Sequence, residues 1–535
     1  MNPSTSSILD GLNDAQRRAV TTIDGPLLIV AGPGTGKTLT IIRRIAWLIS
    51  QGVHPERILA VTFTNRAARE MRERADALLG NAASGIFIGT LHLLGLTILK
   101  EFSLTEFILY NREEQAELIT TLAKKTGIRA RDLLEKISRI KNFVDPLEGE
   151  CRGLFEDYEA ILKTNHAVDF DDLIRTPLAI LEQNPSAAVL SRFSHIMVDE
   201  YQDINPAQYR LISLLSRKSD SICAIGDSDQ AIYGFRGASA SGFLSFCSDF
   251  KSAKVVALTQ NYRSSAVVLS ASNSVIRNNQ NRIEKNIFPT LREGSSIGVF
   301  SLPDERAEGE LIVREIEARI GGTSHYQMSR SGQDRDSASE SFCFSDVAVI
   351  YRTNAQARAI EEAFGTSGIP YQVIGRKNSM QAKVMEDTIA YLQSLVEPDA
   401  ADLGHSTKDE AKLLTSADLF DPRANTVTLT TMHTAKGLEF RVVFIAGAED
   451  GLIPFTMTAR NADLEEERRL FYVAMTRAKE ELFLLHVRNR FLYGQRLSPL
   501  PSPFLMEIPD TLIERITVPD KVKRTKEQDT QMGLF

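Results

Sequence analysis

The chain has 535 residues, 24% charged and 43% hydrophobic, with a net charge of -7: an ordinary globular balance in a chain too long for one core. No apolar run reaches the roughly 18 residues of a membrane span, and the start MetAsnProSerThrSerSer lacks a basic stretch followed by an apolar one, so a cytoplasmic protein without a membrane partner is expected. The acidic balance excludes a coat of cations, so nucleic acid would need a local groove; four scattered cysteines and eight histidines without ligand spacing exclude a readable zinc or iron–sulfur site.

The first informative element is an apolar strand, GlyProLeuLeuIleValAla at 25–31, running into AlaGlyProGlyThrGlyLysThr at 31–38. A glycine-rich turn between a buried strand and the amphipathic IleIleArgArgIleAlaTrpLeuIle is a phosphate-binding loop. Ala31, Gly32, Pro33, Gly34, Thr35 and Gly36 curl so that backbone N–H groups face phosphate oxygens. Lys37 then reaches the β and γ phosphates, and Thr38 offers a hydroxyl to Mg²⁺. A nucleoside triphosphate with Mg²⁺ is therefore the expected ligand.

Residues 93–186 follow a helical pattern, as in GluGluGlnAlaGluLeuIleThrThrLeuAla and LeuLeuGluLysIleSerArgIleLys, and read as a helical insertion into a parallel-sheet domain. The strand HisIleMetVal then ends in Asp199 and Glu200: the first can hold Mg²⁺, the second can orient and deprotonate water. A third strand, IleCysAlaIleGly at 222–226, places Gln230 just past its carboxyl end, where such sheets bind ligands. Further strands are expected at 296–300, 346–351, 426–430 and 441–446. The polar stretch 324–341 reads as a loop that adds no fold.

These segments occur together with LeuAsnAspAlaGlnArgArgAlaVal at 12–20, ValThrPheThrAsnArgAlaAlaArgGluMet at 61–71, GlyThrLeuHis at 89–92 and AspPheAspAspLeuIle at 169–174. GlnAsnTyrArgSerSer at 260–265, TyrArgThrAsnAlaGlnAlaArg at 351–358, ThrMetHisThrAlaLysGlyLeuGluPhe at 431–440 and ValAlaMetThrArgAlaLys at 473–479 follow in order. In that order they resemble superfamily 1 DNA helicases of the UvrD/Rep/PcrA type, through about residue 510.

The resemblance implies an α/β chain with two RecA-like motor domains, parallel sheets flanked by helices, and a helical insertion in the first. The corresponding boundaries are 1–92 with 187–265, the insertion 93–186, then 266–395 with 425–512. It also implies that Gln16 reads adenine, Tyr262 stacks on it and Glu439 touches the ribose, while Arg263 and Arg477 neutralise the γ-phosphate and Gln230 senses it. Leu39 departs from the arginine common at that position, so one nucleotide contact is expected to be missing. Single-stranded DNA would run past Phe63, Phe170, Tyr233 and Phe235, with Thr62, Thr90, His92, Asn354, Thr430 and His433 near its backbone. The implied activity is 3′ to 5′ helicase or translocase movement on single-stranded DNA and 3′-tailed duplex, in DNA repair or replication restart. Two alternatives are a translocase that strips proteins with little unwinding and a non-enzymatic DNA or clamp adaptor, against which the intact catalytic set speaks.

Relatives carry a second large helical insertion where this chain has only residues 396–424, read as a remnant linker. Residues 513–535 read as a flexible tail ending in GlnMetGlyLeuPhe, which resembles peptides that dock on the replication sliding clamp through Gln531, Leu534 and Phe535.

Overall fold

A computed structural model describes residues 5–102, 107–124, 127–149, 151–238, 240–291, 294–320, 342–375, 420–457 and 463–520. Gln531, Leu534, Phe535, the polar loop and nearly all of the remnant linker lie outside the described residues. The chain divides into two compact units. The first holds residues up to Arg263 and returns for Asn279–Leu291; the second holds Ser264–Asn278, 294–375 and 420–520.

In the first unit, strands β1 (Leu27–Ala31), β2 (Ile58–Thr62) and β3 (Phe87–Thr90) precede β4 (Ile108–Leu109) and β5 (Ala167–Val168), which pair only with each other. Strands β6 (His195–Val198), β7 (Ser221–Gly226) and β8 (Lys254–Leu258) complete a parallel sheet of order β3-β2-β6-β7-β1-β8. All five residues of β1 and all six of β7 are buried, as a sheet covered on both faces requires. Side chains alternate across it: Leu28 and Val30 join one apolar core, Leu27, Ile29 and Ala31 the other. Such alternation leaves the carboxyl ends of β1, β6 and β7 as the place where polar residues can gather.

The insertion is narrower than its helical pattern implied. Helices Leu91–Glu101 and Asp172–Gln183 send Leu94, Ile98, Ile174, Leu178 and Leu181 into the core of the sheet. Only the helices Arg112–Ala123, Ala130–Lys141 and Cys151–Thr164 share a separate core, around Ile119, Leu122, Leu133, Ile137 and Tyr158. The AspPheAspAsp segment anchors it. Lys141, fully buried, lies 2.8 Å from each of Asp169, Asp172 and Glu159, and Tyr158 donates to Asp169 at 2.7 Å. Burial works against the Lys141 charge, but these three carboxylates outweigh it and hold the amine charged.

Strands β9 (Gln260–Asn261) and β10 (Phe288–Pro289) pair in parallel, bringing Asn279–Leu291 back to the first unit. The second unit contains β11 (Ile297–Asp304), β12 (Val347–Tyr351), β13 (Tyr371–Ile374), β14 (Val427–Thr431), β15 (Phe440–Ile445), β16 (Ala478–Leu492), β17 (Gln495–Leu497) and β18 (Ile513–Thr517). Their order is β13-β14-β12-β15-β16-β11-β18, parallel throughout, with β17 antiparallel on the end of β16. Helices Glu305–Ile320 and Ala357–Ser367 pack Leu311, Ile312, Ile360 and Phe364 on one face. Residues 513–517, read as the start of a tail, are instead strand β18, in register with Ile297–Ser301 of β11. The IleGluArgIleThr spelling is too polar to announce a strand, yet exposed charges suit the edge of a sheet.

The second unit also buries an ion triad. Arg490 on β16 donates to Glu449 at 2.6 and 2.7 Å and to Glu308 at 2.9 and 3.1 Å. Both acids also accept a backbone N–H, Glu308 from Gly447 and Glu449 from Val487, each at 2.9 Å.

Candidate nucleotide and DNA sites

The loop at 31–38 closes the carboxyl end of β1. Ala31 ends the strand; Thr35, buried, turns its hydroxyl onto the Gly32 carbonyl at 2.8 Å; Gly36 in the left-handed region caps the helix Lys37–Ser50. Gly34 is also left-handed, with φ of 68°, and a Cβ there would lie 2.5 Å from Arg263 Cβ. A side chain at 34 would thus be strained and would collide with the segment that follows β9.

That segment fastens the loop. Asn261, fully buried, donates to the Pro33 carbonyl at 2.7 Å and accepts from Arg263 N at 2.9 Å, and Tyr262 N donates to the Gly34 carbonyl at 2.8 Å. The Tyr262 ring is 46% exposed beside the loop, its hydroxyl fixed by Asn13 at 2.8 Å and Gln260 at 2.6 Å. Gln16 is buried, its amide donating to the Thr35 carbonyl at 3.0 Å and accepting from Asn13 N at 3.1 Å. Both ends of its side chain therefore already have protein partners. Leu39 is exposed.

Lys37 Nζ stands 3.6 Å from Glu200 Oε1, so loop cation and strand-end acid meet. Glu200 holds a left-handed backbone with φ of 50°, a departure that non-glycine residues show at functional sites. Asp199 is buried; its Oδ1 accepts from Glu200 N at 3.0 Å and its Oδ2 lies 3.5 Å from the Thr62 hydroxyl. No group of three or more His, Cys, Asp or Glu able to hold a metal occurs among the described residues. The Thr38 hydroxyl and Asp199 carboxylate are a hard oxygen pair that fits Mg²⁺ when nucleotide phosphates complete its shell.

Gln230 lies buried in the turn after β7, its amide donating to Asp227 Oδ2 at 2.8 Å. Asp227 also receives Lys285, and Lys285 and Arg282 both hold Asp229, at 2.6 and 2.7 Å. Burial opposes the Asp227 charge, but Lys285 and Lys37 keep its carboxyl below the usual range. The sequence reading missed Asn261, Asp227, Lys285 and Arg282, although GlnAsnTyrArgSerSer at 260–265 carried the first within a recognised motif.

In the second unit Arg477 is buried, its guanidinium donating to the carbonyls of Val473 at 2.9 Å and Leu438 at 3.0 Å. An arginine offered to a phosphate presents its fork to solvent, so Arg477 would have to exchange these bonds. Glu439 is exposed and pairs with Lys479 at 2.7 Å.

Among the DNA candidates, Phe63 and Tyr233 stack with centroids 4.7 Å apart, Phe235 tilts against Tyr233 at 6.0 Å, and the Arg236 guanidinium lies over both rings of the latter pair. Phe235 is 50% exposed, a face open to a base. Thr62 and Thr90 are both buried, Thr62 near Asp199 and Thr90 capping its helix through Leu93 N at 3.2 Å. Phe170, half-buried, packs against the apolar cluster of Leu96, Leu99, Leu109 and Leu173. His92 is half-buried; burial, then the nearby Arg236 and Arg112, push it down to about 4, so at neutral pH it brings a hydrogen bond and no charge. In the second unit Asn354 is exposed, His433 half-buried and Thr430 fully buried within β14. Phe491 and Tyr493, unremarked in the sequence, are exposed at the β16–β17 turn.

Residues 12–251 match the UvrD/REP helicase N-terminal domain, and residues 256–415 and 406–489 match the UvrD-like helicase C-terminal domain. The chain is 31% identical to the ATP-dependent DNA helicase PcrA of Staphylococcus aureus, over 95% of this chain and 88% of that protein. It is also 31% identical to the ATP-dependent DNA helicase PcrA of Bacillus subtilis, over 99% and 90%. The first alignment runs over 657 positions, more than the 535 residues here, so that relative carries segments this chain lacks.

Proposed function

The chain belongs to the UvrD-like helicase family, and from that premise we propose that it is an ATP-driven motor moving 3′ to 5′ on single-stranded DNA and separating 3′-tailed duplex, in repair or replication restart. One observation carries the reading. The ten residues from Asp227 to Arg236 carry both Gln230, bonded to Asp227, and the cluster of Tyr233, Phe235 and Arg236, which supports a reading in which a change at a phosphate is passed over a few peptide bonds to a base.

In this proposal Lys37 and the loop N–H groups hold the phosphates, and Glu200 takes the proton of the attacking water. Gln230 meets the γ-phosphate, Arg263 and Arg477 balance its charge, Tyr262 and Gln16 hold the adenine, and Glu439 holds the ribose. Mg²⁺ held by Thr38 and Asp199 would supply charge neutralisation at the phosphate oxygens. The test is ATP hydrolysis with and without single-stranded DNA, beside unwinding of 3′-tailed and 5′-tailed duplexes. Lys37→Ala is expected to lower turnover at least about 100-fold, as loss of a principal charge contact does; DNA-independent turnover in the unaltered protein would refute the motor, and unwinding from 5′ tails alone its polarity.

Phe235→Ala is expected to weaken single-stranded DNA binding by about 1–3 kcal/mol, roughly 5- to 150-fold, in fluorescence anisotropy. Unchanged affinity would remove Phe235 from the track.

Strong hydrolysis with displacement of bound protein and no unwinding would favour the stripping translocase, a reading supported by the segments that the Staphylococcus aureus relative has and this chain lacks. From sequence alone, Gln531, Leu534 and Phe535 are also proposed to dock on a sliding clamp; equal retention on a clamp column after deletion of 531–535 would exclude it.

A further inference from the structure

We propose that Gln202 and Lys285 are positioning residues for hydrolysis, joining the base Glu200 and the sensor Gln230 into one hydrogen-bonded circuit. The inference rests on the hydrolytic reading of this site. Gln202 is fully buried between the two groups. Its amide N–H₂ donates to Glu200 Oε2 at 2.5 Å, and its carbonyl oxygen accepts from Asp227 N at 3.0 Å. Asp227 Oδ2 in turn accepts from Gln230 Nε2 at 2.8 Å, while its Oδ1 accepts from Lys285.

The chemistry of the ends fixes the middle. A carboxylate can only accept and a backbone N–H can only donate, so the bridging side chain must donate at one end and accept at the other over a fixed span. An amide of glutamine length does this. Glutamate would face Glu200 with like charge and no proton to give, and leucine would break both bonds. The site is shaped for the amide: a Cβ at Gly226 would lie 2.2 Å from Gln202 Oε1, so the strand end leaves out a side chain where the bridge passes.

Lys285 closes the circuit from outside the loop. It arrives on Asn279–Leu291 and is almost fully buried, touching both Asp227 and Asp229. From the same segment, Ile287 fills the space beside Gly32, where a Cβ would lie 2.1 Å from its Cδ1. With Asp227 held by Lys285, the amide of Gln230 has a fixed acceptor.

The test uses the full chain and compares Gln202→Leu, Gln202→Glu, Lys285→Met and Lys285→Arg in DNA-stimulated ATP hydrolysis, with binding of a fluorescent ATP analogue measured alongside. Misplacing a catalytic group costs about 10²-fold, so Gln202→Leu, Gln202→Glu and Lys285→Met are expected to lose roughly that much kcat, with KM and analogue binding within about threefold; Lys285→Arg is expected to recover most of it. Gln202→Leu leaves no new buried charge and stays informative if Lys285→Met, which takes the paired lysine from the buried Asp227, does not fold. Unchanged kcat in Gln202→Leu, or a loss of analogue binding that parallels the loss of kcat, would overturn the circuit. Absence of DNA-stimulated hydrolysis in the unaltered protein would instead refute the functional reading beneath it.

Discussion

Glu200→Gln is expected to bind ATP at least as tightly as the unaltered protein and to hydrolyse it about 10²- to 10⁴-fold more slowly, the range associated with a positioned general base. Glutamine keeps the length and the left-handed turn at this position but cannot take a proton from water. It also removes the negative partner 3.6 Å from Lys37, freeing that amine for phosphate. Single-turnover hydrolysis and analogue binding on one preparation separate the two effects. Hydrolysis within threefold of the unaltered rate would move the base elsewhere.

The largest expected loss of stability comes from Arg490→Met. The substitution leaves Glu308 and Glu449, both fully buried, without their cation, and breaking a buried ion pair from one side costs about 3–5 kcal/mol. Even with Arg490 present, burial outweighs its pull and the Glu308 carboxyl stands above its usual range. Without it the Glu308 carboxyl should titrate higher still in the folded chain than in the unfolded one. A raised folded pKa means stability that is lost as pH climbs from the unfolded value through the folded one. The deficit of Arg490→Met should therefore shrink toward pH 5 and grow toward pH 8. The single tryptophan, Trp47, lies in the first unit, so hydrogen exchange of β16 amides is the suitable probe. Adding Glu308→Gln and Glu449→Gln to the variant should restore much of the loss; a pH-independent deficit would show that packing, not charge, carries the triad's contribution.

What was legible in the sequence follows from range. The loop at 31–38, the Asp199–Glu200 pair and the apolar strands are written in consecutive residues, where a glycine pattern or a buried run carries its own physics. Lys285 has no such signal: its partners are 56 and 58 positions earlier, and a lysine in ArgIleGluLysAsn reads as surface charge until Asp227 and Asp229 are seen beside it. Asn261 reaches Pro33 across 228 positions. The burial of Thr62 and Thr90 and the packing of Phe170 on a leucine cluster were likewise not legible, since a motif gives residue type while burial is set by the surrounding fold. Strand β18 was hidden because its partner β11 supplies the register that five polar-rich residues could not declare.

The return of Asn279–Leu291 to the first unit makes the two units poor cassettes. A gene fragment ending at Arg263 would encode the phosphate loop and both acids yet omit the lysine that neutralises Asp227, the arginine on Asp229 and the isoleucine packed on Gly32. Dissection at that border should give a protein that refolds poorly until a peptide of residues 279–291 is supplied in trans. Recombination between relatives would succeed only when this stretch is inherited with the loop it covers.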